Sequence, residues 1–189
     1  MALFMVGPRN TRNMRFDKYD KKGDYHWREY EDPTTKTYKH VQIIKDWIKE
    51  KNVLDIGAGD GLITGLMGFT GIDNEPTGVK LANEHEANVI LGSAYELPWD
   101  DGTFSAALFG DTLEHLEEPE KALREAYRVL EDYLYVVNPI KRARLEKRHV
   151  QEWTPTELTA LIESYGFKLE GPITVYPHDR REYAKFKKI

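Results

Sequence analysis

The sequence predicts an α/β fold in which helices cover both faces of a mostly parallel β-sheet. Two observations predict this fold. Apolar segments with the character of strands alternate along the chain with segments of helical periodicity. The central segments, residues 52–56 and 104–110, are mostly apolar, as in strands that are buried on both faces. In such sheets, ligands bind beyond the carboxyl ends of the strands, near the point where the strand order reverses.

The strands and helices can be placed in order along the chain. Seven segments have strand character: residues 52–56, 69–73, 88–93, 104–110, 133–139, 173–177 and 182–189. Helices are expected at residues 34–50, in a short segment after Gly61, and at residues 77–85, 118–130 and 154–165. Thr34 or Thr35 can cap the first helix. Thr154 can cap the last one, because Pro155 follows it and Glu157 lies three residues beyond.

Length and composition limit the class of protein. The chain has 189 residues, of which 40% are hydrophobic and 31% charged, so we expect a folded domain rather than a disordered chain. We find no apolar run long enough to cross a bilayer and no signal-peptide core. The sequence contains no cysteine, which excludes disulfides and thiolate metal sites and is compatible with the cytoplasmic location that we expect.

The domain organisation that we expect is an N-terminal extension at residues 1–33, followed by a single domain at residues 34–189. The extension contains the aromatic stretch YDKKGDYHWREYEDP at residues 19–33. Tyr25, Trp27 and Tyr30 are therefore candidates for a lid that covers the active site and binds the substrate. The alternative is that these side chains pack on the helix that follows.

The stretch KNVLDIGAGDG, residues 51–61, places a glycine-rich turn directly after a strand. A turn of this kind brings backbone close to a ligand. A P-loop requires a lysine after the glycines, and none is present. The dinucleotide fingerprint G-x-G-x-x-G does not fit either, because the third glycine, Gly61, falls one position early.

Two carboxylates indicate the chemistry of the ligand. Asp55 lies at the mouth of the turn, where it would repel a pyrophosphate but attract an ammonium or sulfonium group. Asp73 ends the second strand, where an acid accepts hydrogen bonds from ribose hydroxyls in nucleotide-binding α/β folds. A ligand with a ribose, a cation and no phosphate is expected, and S-adenosylmethionine fits. The alternative, a turn that only joins strand to helix, leaves both acids unexplained.

The segments VLDIGAGDG and GID, with LGSAYELPWDDGTFSAALFGDTLEHLEEPEKALREAYRVL, resemble class I S-adenosylmethionine-dependent methyltransferases across roughly residues 40–170. The resemblance implies a Rossmann-like, seven-stranded sheet with six parallel strands and one antiparallel strand. The chain is most similar to small methyltransferase domains of the ubiquinone-pathway O-methyltransferase type. The cofactor-binding residues that the resemblance implies are Asp55, Gly57, Ala58, Gly59, Asp73, Asn74, Ser93, Ala94, Phe109, Gly110 and Asp111.

Three departures from the family suggest a trimmed variant. Ser93 stands where family members often carry an aspartate, which weakens the expected contact with the adenine amino group. The segment from Gly61 to Asp73 is short, so its helix must be small. The usual Pro-Gly-Gly turn after RVL is missing.

The stretch DTLEHLEEP, residues 111–119, holds the candidates for catalysis. Glu114 and His115 follow the fourth strand, and His149 lies after the fifth strand and can return to the same rim. Either histidine is a candidate proton acceptor. Together with HVQEW, the stretch also resembles methyltransferases of the terminal ribose of small RNAs, in which the matching residues, here Asp111, Glu114, His115 and His149, bind a divalent metal. A metal-free site is our expectation; a metal site and a purely structural role are the alternatives.

The function that we expect is transfer of a methyl group from S-adenosylmethionine to a small-molecule acceptor, with O-methylation ahead of N-methylation. The alternatives are a metal-assisted RNA ribose methyltransferase and a non-catalytic scaffold. A net charge of −5 gives no general attraction to nucleic acid, so RNA is not the expected partner. The locally basic segments 9–22, 141–149 and 180–188 are expected to be solvated surface.

Overall fold

The structure is a computed structural model, and it describes residues 18–140, 149–176 and 180–189. The basic segments predicted at residues 9–17 and 141–148 lie outside the described residues. Among the helices of the described part, none is both long and apolar enough to cross a membrane.

The fold is α/β, as the sequence predicts, and the described residues form one sheet of eight strands. The strands are β1 (Val53–Ile56), β2 (Thr70–Asp73), β3 (Val89–Leu91), β4 (Phe104–Gly110), β5 (Leu130–Pro139), β6 (Phe167–Leu169), β7 (Thr174–Tyr176) and β8 (Arg181–Lys188). Their order is β3-β2-β1-β4-β5-β8-β6, and β7 pairs with β8. The order reverses between β1 and β4, which makes the carboxyl end of β1 the expected ligand position.

The predicted number of seven strands is too low by one, because the sequence gives no clear signal for β6. This strand has only three residues and is separated from the preceding helix by a turn that ends at Gly166. It pairs with β8 alone, so its existence depends on a long-range partner rather than on its own pattern. In the main path, β8 is antiparallel to both of its neighbours, so six strands share one direction and β8 opposes them.

Five helices lie at the predicted positions, and two short ones, α1 and α2, lie within the predicted N-terminal extension. They are α1 (Lys18–Lys22), α2 (Tyr25–Tyr30), α3 (Lys36–Trp47), α4 (Leu62–Met67), α5 (Pro76–Glu84), α6 (Pro119–Val129) and α7 (Pro155–Glu163), with a 3₁₀ turn at Leu113–His115. Thr35 caps α3, and Thr154 forms a capping box with Glu157 at α7. The helix between β1 and β2 has only six residues, and α6 leads into β5 without a loop, as the shortened segments indicate.

Two core layers bury the sheet. On one face, α6 and α7 pack over a cluster that includes Ile56, Phe109 and Val136. On the other face, α3 and α4 cover a second cluster, in which Ile44 of α3 packs near Leu108 of β4. The sheet is therefore buried on both faces, which explains why its central strands are mostly apolar.

Arg128, near the end of α6, anchors the segment that connects β3 to β4. Its guanidinium donates to the carbonyl oxygens of Leu97 and Trp99, at 2.9 and 2.7 Å, and pairs with Glu125 and Asp101. Because β4 and β5 both begin here, these contacts fix the end of the sheet opposite the glycine turn.

Candidate cofactor and acceptor site

The glycine turn between β1 and α4 has a backbone that glycine alone adopts readily. Gly57 and Gly59 have φ values of 83° and 57°, in the left-handed region. A Cβ atom added to Gly57 would lie 2.4 Å from the side chain of Thr112. The N–H groups of Gly57 and Ala58 donate to the carbonyl of Ile72, at 2.9 and 3.1 Å, which fastens the turn to the end of β2.

Asp55 lies buried at the mouth of this turn, with 3% of its surface exposed. Thr64 of α4 donates its hydroxyl to Asp55 Oδ2 at 2.7 Å. Burial raises the pKa of Asp55 to about 7; the hydrogen bond from Thr64 lowers it, and the negative charge of Asp73 adds to the increase. A cation placed beside Asp55 would restore its charged form.

Asp73 lies at the end of β2 and supports the same turn. Its two carboxylate oxygens accept hydrogen bonds from the N–H groups of Gly59, at 2.7 Å, and Glu75, at 2.8 Å. Burial raises its pKa, although these hydrogen bonds oppose the shift. Carboxylate oxygens have further lone pairs, so Asp73 can still accept from a ribose hydroxyl. In the described part of the chain, neither Asp55 nor Asp73 forms an ion pair with a basic side chain.

The remaining predicted cofactor residues lie around this turn with different exposures. Asn74 is exposed directly after Asp73, whereas Ser93 and Ala94 are half-buried after β3. Ser93 Oγ accepts from the backbone N–H of Tyr95 at 3.1 Å. Phe109 is fully buried in the core, which leaves only its backbone, followed by Gly110, to line a cofactor pocket.

Thr112 joins the ends of β1 and β4 above the glycine turn. Its hydroxyl donates to the carbonyl of Ile56 at 3.0 Å and lies 3.2 Å from that of Gly110. Thr112 directly follows the predicted residues Phe109, Gly110 and Asp111, whereas nothing in the sequence indicated a role for Thr64. Both threonines act through contacts between distant segments, so neither has a local sequence signal.

The N-terminal segment contacts the turn through Asp60, which is not among the predicted site residues. The Asp60 carboxylate lies 2.9 Å from Nδ1 of His26, and its carbonyl accepts from Trp27 Nε1 at 2.7 Å. Tyr19 packs against Gly59 so closely that an added Cβ would lie 2.1 Å from its hydroxyl. Burial raises the pKa of Tyr19, and the charges of Asp60 and Asp73 add to this increase. The signal that could have identified Asp60 is its position as a further acid within the glycine turn.

The three predicted lid residues lie on two different surfaces. Tyr25 is buried and packs against His26, with ring centroids 3.8 Å apart. Trp27 stacks on His85 of α5, with ring centroids 4.2 Å apart and planes 8° from parallel. Tyr30 instead stacks on Tyr38 of α3 and accepts from Lys45 Nζ at 2.9 Å. Trp27 thus lies beside the glycine turn, and Tyr30 packs on the helix that follows.

Asp111 does not join the predicted metal ligands. Its carboxylate accepts from Arg181 Nε of β8, at 2.7 and 3.0 Å to its two oxygens. Its φ of 53° is unusual for a residue other than glycine and turns the chain away from β4. Asp111 therefore leaves the predicted set of four metal ligands, because its carboxylate is bound by Arg181, which lies 70 residues away in sequence.

The other three predicted residues do meet, and we call them the histidine cluster: Glu114, His115 and His149. Within the described chain they form a group whose potential ligand atoms all lie within 4.8 Å of one another. The two imidazole rings meet edge to face, with centroids 5.1 Å apart. Glu114 is buried, and one of its oxygens, Oε2, has no hydrogen-bond partner. Burial, followed by the charge of Asp111, raises the pKa of Glu114 well above its usual range.

Glu152 orients the imidazole of His149. Its Oε1 lies 2.7 Å from His149 Nδ1, and both side chains are largely buried. Nδ1–H donating to this carboxylate leaves Nε2 as an acceptor or a ligand atom. The N–H groups of Val150 and Gln151 donate to the carbonyl of Glu114, at 2.8 and 3.3 Å, which fastens this segment beside the 3₁₀ turn.

Comparisons with known proteins agree with this geometry. The family described as "Methyltransferase domain" matches residues 54–135. Norajmaline N-methyltransferase of Rauvolfia serpentina is 36% identical over 95 residues, which are 43% of this chain and 32% of that protein. Two solved structures share the fold. A methyltransferase of Thermotoga maritima, described as a possible histamine N-methyltransferase, has a TM-score of 0.74 at 20% identity and covers 90% of this chain and 98% of its own. Magnesium protoporphyrin IX methyltransferase of Synechocystis with bound S-adenosylhomocysteine has a TM-score of 0.68 at 14% identity, with 92% and 97% covered.

The chain spans between 27% and 55% of the length of the curated relatives that it matches. The matched residues run from Leu54 to Tyr135 and include the glycine turn, Asp55, Asp73 and Glu114. Proteins of this kind use S-adenosylmethionine, and similar structures hold it or its product. Residues 54–135 of the chain thus match the methyltransferase-domain family, and the fold around them is that of S-adenosylmethionine-dependent methyltransferases.

Proposed function

We propose that this protein transfers a methyl group from S-adenosylmethionine to a small-molecule acceptor. The observation that carries the proposal is the pair of carboxylates beside the glycine turn, Asp55 buried and Asp73 partly buried. Two desolvated acids with raised pKa values, and no basic partner among the described residues, form a site for a cationic ligand. Asp55 would hold the methionine ammonium and Asp73 the ribose. When bound, this cofactor supplies an electrophilic methyl group.

The histidine cluster supports a role in proton transfer. His149, with its Nδ1 donating to Glu152, presents Nε2 as an acceptor for the proton that the attacking group loses. Glu152 would stabilise the imidazolium that forms. His115 and the buried Glu114 would shape the same wall, and Trp27 would close the cofactor side through Asp60. A cytoplasmic location remains part of this proposal.

The element that receives the methyl group, oxygen or nitrogen, is also a matter of this proposal. The sequence favours oxygen over nitrogen, whereas two of the similar proteins are named or described as N-methyltransferases. The proposal therefore includes both hydroxyl and amine acceptors. An oxygen acceptor has the greater need for a base, because its proton must leave before or during attack.

A metal-assisted reaction on an RNA ribose is the second candidate. The observation that favours it is the histidine cluster, where two imidazoles and a carboxylate could bind a divalent ion. The unpartnered oxygen of Glu114 fits this role. Activity that EDTA removes and Mg²⁺ or Mn²⁺ restores would favour this candidate, provided that RNA binding also falls steeply with salt.

Calorimetric titration tests the proposed function. The protein is titrated with S-adenosylmethionine and with S-adenosylhomocysteine, with and without Mg²⁺ or Mn²⁺. Wild-type protein should bind both ligands, and Asp55→Asn should lose most of the affinity. Asp132→Asn is the matched control, because Asp132 is exposed near the start of β5, at the opposite end of the sheet. If wild-type protein binds neither ligand, the proposal is wrong and the non-catalytic scaffold is favoured.

A further inference from the structure

Two side chains at directly opposite positions of β5 and β8 carry buried oxygens that have no hydrogen-bond partner. Asn138 pairs with Glu182 in the antiparallel register, and their exposed fractions are 0% and 1%. The atoms without a partner are Oδ1 of Asn138 and both carboxylate oxygens of Glu182. Buried polar atoms in proteins are nearly always hydrogen-bonded, so three such oxygens on adjacent side chains require an explanation.

The pair lies at the end of the sheet where the cofactor and acceptor residues lie. β5 ends at Pro139 and β8 begins at Arg181, one residue beyond each member of the pair. Side chains alternate between faces along a strand, so Asn138 shares the face of Val136, and Glu182 that of Ala184. Both neighbours belong to the core that α7 covers. The pair therefore lies in the layer that α7 covers, at the carboxyl end of β5.

No described cation neutralises Glu182. Its neighbour Arg181 lies on the opposite face of β8 and pairs with Asp111. The amide nitrogen of Asn138 donates to the carbonyl of Pro139 at 3.0 Å, which directs the amide oxygen away from that contact. The two side chains thus present three acceptor atoms and a carboxylate charge.

A single ligand that satisfies all three oxygens while Glu182 is ionised must donate several hydrogen bonds, and a positive charge best matches the carboxylate. An alkylammonium group has up to three donors and one charge. Charge-assisted hydrogen bonds of this kind are among the strongest in proteins. A hard metal ion fits less well, because it requires six or more oxygen ligands and two side chains supply only three.

We propose that Asn138 and Glu182 bind a protonated amine of the methyl acceptor, which makes the acceptor an amine-bearing small molecule. The identification of this ligand as the acceptor rests on the proposed function. The amine in this subsite is an anchor, and the atom that receives the methyl group lies elsewhere in the molecule.

Two other partners could satisfy the same oxygens. Burial raises the pKa of Glu182 to about 7, so a protonated Glu182 can donate to Asn138 Oδ1 at neutral pH. A buried water could also donate two hydrogen bonds. Neither partner carries a charge, so a cationic probe and a neutral probe of the same size distinguish them from an amine site.

The test is an NMR titration of the full-length protein with propylammonium chloride. The resonances to follow are the side-chain amide of Asn138 and the labelled carboxylate of Glu182. The controls are 1-propanol and sodium chloride at matched ionic strength. We expect a saturable shift at Asn138 with an affinity on the order of millimolar, and a decrease in the pKa of Glu182. We expect no saturable shift with 1-propanol.

Two variants complete the test. Glu182→Gln should weaken propylammonium binding at least tenfold, and Glu131→Gln, an exposed change at the other end of β5, should not. If Glu182→Gln fails to fold, the pKa of Glu182 in wild-type protein with and without propylammonium decides. An equal response to 1-propanol, or an unchanged pKa, overturns the inference and assigns the oxygens to water or to the Glu182 proton.

Calorimetry with S-adenosylmethionine on the same samples separates this inference from the proposed function. Cofactor binding without a response to propylammonium overturns the amine subsite alone. A response to propylammonium without cofactor binding supports the subsite and overturns the proposed function.

Discussion

His26 and Asp60 connect the N-terminal segment to the glycine turn across 34 residues of sequence. The His26 backbone N–H donates to one carboxylate oxygen at 3.3 Å, and its Nδ1 lies 2.9 Å from the other. Trp27 adds a hydrogen bond to the Asp60 carbonyl. Helix α2 is therefore attached to the backbone that would hold the cofactor. A change that loosens either α2 or the glycine turn should loosen the other.

Asp60→Ala should loosen this attachment. The change removes the acceptor for two groups of His26, so the free energy of unfolding should fall by about 1–3 kcal/mol. Under native conditions, amide hydrogen exchange at residues 25–30 should become faster, while exchange in β5 stays unchanged. Asp132→Ala is the control. Unchanged exchange at residues 25–30 would show that the segment is held by its aromatic packing alone.

Cofactor affinity should rise with pH. In the free protein the pKa of Asp55 is about 7, and a cation binds the ionised form. Below pH 7 each bound cofactor must displace a proton, so affinity should fall by up to about tenfold per pH unit. Calorimetry from pH 6 to 8 checks this, and Asp55→Asn should remove the dependence. The amino group of the cofactor titrates identically with both proteins, so a dependence that survives in Asp55→Asn would exclude Asp55 as its source.

Asp55→Asn should also stabilise the cofactor-free protein at high pH. Because the folded pKa exceeds the unfolded one, the folded state binds more protons between pH about 4 and 7, and stability is lost as the pH rises through about 7. The variant should be more stable than wild type by on the order of 1–4 kcal/mol at pH 8, and by less at pH 5. Urea denaturation at both pH values measures the difference. Glu182 affects both proteins equally, so a gap that does not depend on pH would contradict the prediction.

Gly57→Ala should destabilise the protein through two effects. The left-handed φ costs about 1–2 kcal/mol for a residue with a Cβ, and the new Cβ would overlap Thr112. Thr112→Ser removes the methyl group, one of the two Thr112 atoms that lie 2.4 Å from the new Cβ, and keeps the other, the hydroxyl that binds the Ile56 carbonyl. The double variant should therefore recover part of the loss, with a coupling of about 0.5–3 kcal/mol. Strictly additive effects in urea denaturation would mean that backbone strain alone acts.

His149→Ala should lower kcat at least about a hundredfold, because it removes the proposed proton acceptor. Cofactor affinity should stay unchanged. Glu152→Gln should give a smaller loss and shift the acid limb of the pH profile, because the neutral amide stabilises the imidazolium less. Steady-state kinetics with any acceptor that turns over, together with calorimetry, checks both. Unchanged kcat in His149→Ala would leave this residue a structural role.

The sequence predicts those parts of the site that depend on adjacent residues. The glycine turn, Asp55 and Asp73 are identified because a strand, a carboxylate and a turn follow one another directly. The caps Thr35 and Thr154 are predicted for the same reason, since a cap bonds to backbone only three residues away.

The remainder depends on residues that the fold brings together. Arg181 binds Asp111 and so separates it from the histidine cluster. The pairing of Asn138 with Glu182 requires the register of two strands that are distant in sequence. Strand β6 is missed because three residues carry too little periodicity, and β8 alone determines its place. Sequence spacing cannot predict any of these contacts.

Arg128 and the direct junction of α6 with β5 give the two ends of the molecule different tolerances to amino-acid change. At the end that Arg128 fixes, four groups share one guanidinium, so a substitution there would disturb several contacts at once. At the opposite end, His149 and Glu152 lie on a segment outside the strands, so changes there leave the pairing of the sheet intact. Libraries that aim to alter the proposed acceptor preference should therefore be concentrated around His149 rather than at the buried Glu182.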